Sequence, residues 1–388
     1  MNDRPVRLLR VTTVPISLKI LLRGQLAWMR RQGFEVLAVS ADGPEVSDLR
    51  AEGIPHVVVP MSRAITPFAD LIALFRMYAV IRRFRPDIIH THTPKAGLIG
   101  LLAARLAGVP VRFHTVAGLP LMGLSGWRYR LLILTERFTY QCATEVLVNS
   151  FSLRSYIDRE ITKGKLSLTV LGNGSSNGID TEYFSRHTEV MTAASRIRRS
   201  LSIPEAAPVC CFIGRVVRDK GISELILAFD QVRERHLDLQ LLLVGPLEPE
   251  RDPLTASEAA RINAGNGIHS VGYQEDVRPW LAAADVFVFP SYREGFPNVV
   301  LQAGAMGLPV IATDINGCNE IVEEGSSGWL VPVRDGKALA AAMEQSLSDP
   351  QGLIEKGQLG RKRVVERYDQ MEVWRCLEAE YRKAVGAL

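Results

Sequence analysis

Residues 286–302 read Val286-Phe-Val-Phe-Pro290-Ser-Tyr292-Arg-Glu294-Gly-Phe-Pro297-Asn-Val-Val-Leu-Gln302. Four apolar residues of high β propensity end at a proline, a short polar loop follows, and a second apolar run starts after Pro297. The pattern is strand, loop, helix. Pro297 suits a helix start because its missing N–H would have no intrahelical acceptor there. An unbroken apolar strand is buried on both faces, which is the condition of a strand in a parallel sheet covered by helices.

The same unit repeats outward in both directions. Strands are expected at Arg7–Val11, Phe34–Ser40, His56–Val59, Ile88–His90, Val111–Thr115, Glu145–Asn149 and Leu168–Leu171. Helical segments Leu18–Arg31, Pro67–Phe84, Ala96–Ala107 and Trp127–Ala143 lie between them. A polar, strand-poor stretch at 181–207 interrupts the alternation. It restarts with strands Val209–Gly214, Leu239–Gly245, Ile268–Val271, Val286–Pro290 and Val310–Thr313. The fold class is therefore α/β, with two doubly wound domains in tandem. Their expected extents are 1–185 and 186–365, with a helical tail at 366–388 whose docking is open. A cleft is expected between the domains, with ligands beyond the carboxyl ends of the strands.

The bulk numbers agree. A chain of 388 residues suits two cores of roughly 150–200 residues each. With 47% hydrophobic and 23% charged residues it is an ordinary globular protein rather than a disordered one. No apolar run is long enough to span a bilayer; the best, Leu98–Val111, is broken by Arg105. Lys19 interrupts the only N-terminal apolar stretch, so no signal peptide is read. The five cysteines show no metal-ligand spacing and are expected to be reduced and mostly buried, in keeping with a cytoplasmic protein.

Charge is uneven. Residues 1–190 carry 24 Lys+Arg against 15 Asp+Glu, whereas the rest of the chain is net acidic. A basic first half implies an anionic partner. Lys19, Arg23, Arg30 and Arg31 share a predicted helix with Trp28, and Arg82, Arg83 and Arg85 follow another. This mixture suits the anionic inner surface of a cytoplasmic membrane. No nucleic-acid partner is expected.

Two elements of the second half carry chemistry. Gly214-Arg215-Val-Val-Arg218-Asp-Lys220-Gly221 follows a strand and opens a helix. Arg215 and Lys220 bracket a helix N-terminus, where backbone N–H groups already favour an anion, and two cations there suit a diphosphate. In the stretch quoted above, Glu294 is an acceptor for sugar hydroxyls. The N–H groups of Asn298, Val299 and Val300 are expected to be free to meet phosphate or sugar, and Gln302 lies one turn on.

The succession GRxxxxKG, FPSxxEGFPN, GLPVIATD and GxxGWLV resembles the donor domain of retaining glycosyltransferases of family 4, which have the GT-B fold of two Rossmann-like domains. The resemblance covers nearly all of the second domain, and the first agrees in layout. It implies that Arg215 and Lys220 hold the donor diphosphate beside Gly214. It implies that Glu294, Gly295 and Phe296 hold the donor sugar, and that the base rests at Gly272-Tyr273. The family's second Glu, which binds ribose, is Gln302 here. Gly317, Asn319 and Glu320 are read as structural.

In the first domain the resemblance implies a role for His114 near the reacting sugar. His92 and Lys95, at the end of strand Ile88–His90, and Ser17 and Lys19, in the loop after the first strand, are acceptor candidates. His90 is a weaker one. Gly118-Leu-Pro120 and the segment Asn177-Gly178-Ile179-Asp180 with Phe184 complete the strand-end set; the Gly-Ser-Ser before Asn177 is read as an insertion. The implied catalytic set is His114, Glu294, Arg215 and Lys220.

Family membership implies transfer with retention. The sequence has no Asp-x-Asp triplet, so no metal or other cofactor is expected. The expected reaction moves a hexose or N-acetylhexosamine from a nucleotide sugar, with UDP favoured, to a lipid-linked saccharide in bacterial surface polysaccharide or glycan assembly. Sugar-nucleotide epimerisation on the same fold, and a non-catalytic nucleotide-sugar-binding subunit, are the alternatives.

Overall fold

A computed structural model describes residues 4–119, 126–248, 250 and 252–387. The chain divides into two compact units, one of residues 1–178 with 371–388 and one of residues 179–370.

The first unit runs β1 (Arg7–Val11), α1 (Gln25–Arg31), β2 (Glu35–Ser40), α2 (Glu45–Ala51), β3 (His56–Val58) and α3 (Pro67–Phe84). It continues with β4 (Ile88–His92), α4 (Pro94–Leu106), β5 (Val111–Val116), α5 (Gly126–Cys142), β6 (Glu145–Val148), α6 (Phe151–Ile157) and β7 (Leu168–Val170). Its seven strands are parallel in the order β3-β2-β1-β4-β5-β6-β7. The order reverses between β1 and β4, and the carboxyl ends of strands at such a reversal are where ligands bind.

The second unit contains α7 (Thr188–Ser200), β8 (Val209–Ile213), α8 (Ile222–Arg233), β9 (Gln240–Val244), α9 (Ala256–Asn263), β10 (Ile268–Gly272), α10 (Arg278–Ala282) and β11 (Val286–Phe289). Then follow α11 (Asn298–Ala305), β12 (Val310–Thr313), α12 (Cys318–Ile321), β13 (Gly328–Val331), α13 (Gly336–Ser348) and α14 (Pro350–Tyr368). Six parallel strands are ordered β10-β9-β8-β11-β12-β13, reversing between β8 and β11. Both central strands are wholly buried, which is why each reads as a continuous apolar run.

Three sequence expectations change. The polar stretch 181–207 contains helix α7, which buries only Val190 and Ala194 and so leaves almost no apolar stripe to read. The segment Leu18–Arg31 is not one helix. A single π-type turn at Ser17–Leu21 precedes α1, and Gly24, at φ 77°, separates them. Trp28 is 5% exposed, packed against Trp374 with ring centroids 5.7 Å apart. The pairing of Lys19, Arg23, Arg30 and Arg31 with an exposed tryptophan is therefore corrected: the indole belongs to the core.

Trp374 lies on α15 (Gln370–Gly386). The docking of this last helix, open in the sequence, is on the first unit. Trp374, Leu377 and Tyr381 pack with Leu8, Trp28, Phe34 and Phe113 beneath the sheet.

Candidate functional site

At the reversal of the second sheet, the loop after β8 and the loop after β11 meet. Residues 218–220 form one turn of 3-10 helix, and Gly221, at φ 71°, starts α8. Gly221 touches the end of β11 so closely that a Cβ would lie 2.0 Å from the Pro290 carbonyl oxygen. That contact puts Lys220 beside the loop from β11. The Lys220 ammonium pairs directly with the Glu294 carboxylate, and Ser291 Oγ donates to Glu294 Oε1 at 2.9 Å. The pair is only 15% and 19% exposed, and the ammonium also lies 5.9 Å from the centre of the Phe289 ring. The cation expected to meet phosphate and the carboxylate expected to accept from sugar hydroxyls thus share one contact, and neither is left buried without a partner.

The surrounding groups hold the two loops. Tyr292 donates through its hydroxyl to Glu224 of α8 at 2.8 Å and through its backbone N–H to Asp219. Thr313 Oγ1 donates to the Ser291 carbonyl oxygen. Arg215 donates to Glu248 at 3.1 Å and is partly exposed. Phe296 is buried against Tyr368, ring centroids 5.4 Å apart, and Gly295 leads into it. Gly317 packs on Pro297 and Phe296, which supports its structural reading.

Helix α11 starts at Asn298 with no side-chain cap. The N–H groups of Asn298 and Val299 have no intrahelical acceptor at that position. The expectation for Val300 is corrected. Its N–H donates to the Pro297 carbonyl oxygen at 3.1 Å, and its side chain is fully buried. Gln302 is half-buried one turn later. Gly272 ends β10 at φ 68°, and the Tyr273 ring beyond it is 70% exposed.

The acceptor candidates of the first unit sit differently. His92 falls inside β4, which extends two residues further than read. It is buried, stacked on His90 with centroids 4.4 Å apart, and accepts from Arg10 at 2.8 Å. His114 is also buried within β5, its Nδ1 2.8 Å from Thr91 Oγ1 and its ring against Gly97 of α4. Burial lowers its pKa to about 4. Lys95 pairs with Asp70 at 2.7 Å. Lys19 is exposed and pairs with Asp48 at 2.6 Å; Ser17 is half-buried in the preceding turn. Pro120 lies outside the described residues. The strand ends do bring Thr13 and Thr93 together, their hydroxyls 2.7 Å apart, with Thr93 at φ 74°.

Comparison with known proteins decides the family. Residues 207–349 match the family described as glycosyl transferases group 1, and residues 21–174 match the glycosyl transferase 4-like domain. The capsular polysaccharide biosynthesis glycosyltransferase CapM of Staphylococcus aureus is 34% identical over 97% of this chain and 96% of its own length. The chain is a glycosyltransferase of family 4.

An Escherichia coli UDP-Gal:alpha-D-GlcNAc-diphosphoundecaprenol alpha-1,3-galactosyltransferase is 27% identical over 81% of each chain. Among solved structures, sucrose-phosphate synthase from Thermosynechococcus elongatus superposes with a TM-score of 0.82 at 22% identity, over 99% of this chain and 100% of that one. Anabaena HepE in complex with UDP and glucose gives 0.80 at 19% identity, over 97% and 100%. These likenesses show the GT-B fold.

Sequence reasoning missed several polar groups of the glycosyltransferase that lie at or near these strand ends. Ser291 and Thr313 were readable only as strand-end polar residues. Arg10 was not readable at all. It is a fully buried arginine in a central strand, donating to Gln25 at 2.6 Å and to His90, His92 and Tyr381. With no carboxylate in that set, burial lowers its pKa, and together with its charge holds those of His90 and His92 well down.

One buried carboxyl gives a testable pH dependence. Glu136 on α5 is 4% exposed, and burial raises its pKa to about 7. Near pH 4 folded and unfolded chains both hold its proton. As pH rises from there to 7, only the unfolded chain releases it, so stability falls across that window. The full cost, on the order of 3 kcal/mol, remains above it. Glu136→Gln should therefore raise the melting temperature at pH 8 by roughly 6–12 °C and change it little near pH 4. Calorimetry at the two pH values checks this; an equal shift at both would contradict it.

Proposed function

We propose that this glycosyltransferase moves a hexosyl or N-acetylhexosaminyl group from a UDP-sugar to a lipid-linked saccharide in bacterial capsule or surface polysaccharide assembly. The observation that carries the donor side is the Lys220–Glu294 contact at the reversal of the second sheet. The acceptor reading is supported by relatives whose names specify diphosphoundecaprenol-linked sugars, in Escherichia coli and Campylobacter jejuni.

Lys220 and Arg215 meet the donor diphosphate, with the N–H groups of Asn298 and Val299 at the positive end of α11. A diphosphate competes with Glu294 for Lys220, which releases the carboxylate to accept from sugar hydroxyls. The bond from the anomeric carbon to the phosphate oxygen breaks, and a bond to the acceptor oxygen forms on the same face. The acceptor proton passes to the leaving diphosphate. The protein's contribution is positioning and stabilisation of the departing charge, with no metal. His114, within β5, is a positioning group in this scheme rather than one that touches the sugar.

The test is a release assay with UDP-, GDP- and ADP-sugars and a pool of lipid-linked acceptors. Release of UDP, retention at the new linkage by NMR and insensitivity to EDTA are expected. Preference for another nucleotide, an inverted product, or activity abolished by EDTA and restored by a divalent ion would each overturn the corresponding part.

A further inference from the structure

The outer face of α3 is apolar where a surface helix is ordinarily polar. Phe68 is 88% exposed and Phe75 67%, with Leu71, Ile72 and Tyr78 exposed beside them. Ala73, Met77 and Ile81 supply the buried face. The first turns of α3 are thus apolar on both sides, and the last turn presents Arg82 and Arg83 to solvent. Helix α5, which like α3 packs against α4, exposes Leu131, Leu134 and Phe138 along one stripe.

The charge around these faces has one sign. Residues 53–144 contain 11 Lys+Arg and three acids, Asp70, Asp87 and Glu136. Lys95 engages Asp70, Arg4 engages Asp87, and Glu136 is buried. A second copy of this face would bring arginines against arginines. The occupant that matches is both apolar and anionic.

We infer that α3, with α5 beside it, docks on a bilayer containing anionic lipid. Phe68, Leu71, Ile72 and Phe75 enter the boundary between headgroups and acyl chains, and Arg76, Arg82 and Arg83 meet the phosphates. Among the described residues no helix is long and apolar enough to cross a membrane, so the contact is made from one side. The inference rests on the reading of the acceptor as a lipid-linked saccharide only in that such a substrate requires a surface-bound enzyme. It also moves the membrane contact from the buried Trp28 to α3.

The test uses the full chain and phosphatidylcholine vesicles with and without phosphatidylglycerol. Sedimentation with the phosphatidylglycerol vesicles at low salt, and not with phosphatidylcholine alone, is expected. Phe68→Ser/Phe75→Ser and Arg82→Glu/Arg83→Glu should each lower binding by about tenfold or more at an unchanged melting temperature, whereas Arg31→Glu on α1 should leave it unaltered. Undiminished binding by both double variants, or a wild-type chain that ignores phosphatidylglycerol, would overturn the inference. So would a concentration-dependent dimer abolished by Phe68→Ser/Phe75→Ser, which would assign the face to a second copy. If vesicle binding behaves as expected while no nucleotide sugar supports transfer, the functional reading fails and the docking surface stands.

Discussion

Lys220→Ala is expected to reduce kcat by roughly two to three orders of magnitude, the loss typical of removing one preorganised group that stabilises departing charge. The Lys220 side chain is 15% exposed, so its field is less screened than that of a surface lysine. The substitution also deprives Glu294 of its counter-charge and leaves Ser291 Oγ as its hydrogen-bond donor. Both effects fall on the donor complex. Lys220→Met, which keeps the aliphatic stem near Phe289, should lose nearly as much and so exclude packing as the cause. Lys220→Arg should recover little, because a planar fork does not reproduce a compact ammonium held against Glu294 beside the Phe289 ring. Glu294→Gln alone should also be slow. The double variant Lys220→Ala/Glu294→Gln should be much less than additive, since the two side chains act through one contact. Steady-state kinetics with saturating acceptor separates kcat from KM. A Lys220→Ala enzyme within tenfold of wild type, at an unchanged melting temperature, would remove Lys220 from the mechanism.

The parts of the fold that were legible are those whose physics is local. Strands β8 and β11 are buried on both faces, so their sequences are unbroken apolar runs. The loops after them carry Gly221, which is free to take positive φ, and Pro297, whose ring fixes φ, and these mark the starts of α8 and α11. Lys220 and Glu294 could be singled out as residues after strands. Their direct pairing could not, because it joins residues 74 apart along the chain and depends on the spatial adjacency of β8 and β11. The failures have the same origin. Trp28 looked like a surface anchor because its burial is decided by Trp374 on the last helix. Helix α7 went unread because two buried side chains leave no periodic stripe. The exposed face of α3 was equally invisible: turns that are apolar on both sides read as core, and only burial tells the solvent side from the packed one. His92 was read as lying just beyond its strand, but β4 runs on to His92 as its last residue, and the His92 and His114 side chains are both buried.

The close approach of Gly221 to Pro290, which brings together the two loops of the proposed donor site, is also the most fragile point there. Gly221→Ala should destabilise the chain by about 3 kcal/mol or more, through two independent costs. At φ 71° a residue with a Cβ loses roughly 1–2 kcal/mol relative to glycine. The added carbon would sit 2.0 Å from the Pro290 carbonyl oxygen, a backbone atom at the end of a central strand that cannot rotate away. Relief requires the start of α8 to withdraw from β11, which pulls Lys220 off Glu294 and loosens the Tyr292–Glu224 bond. For a unit of this size the melting temperature should fall by roughly 6–12 °C, and donor binding should weaken beyond what the unfolded fraction explains. The measurement is thermal unfolding with and without UDP. The variant is expected to show a lower transition and a smaller upward shift on adding nucleotide, because a ligand stabilises only in proportion to its affinity for the folded state. Lys220→Ala provides the comparison, since it removes the cation without moving the helix and should reduce the nucleotide shift at a near-normal starting temperature. A Gly221→Ala chain that melts within a degree of wild type and keeps its full shift would show that α8 can stand away from Pro290 at no cost. The close approach would then not be what aligns the two loops.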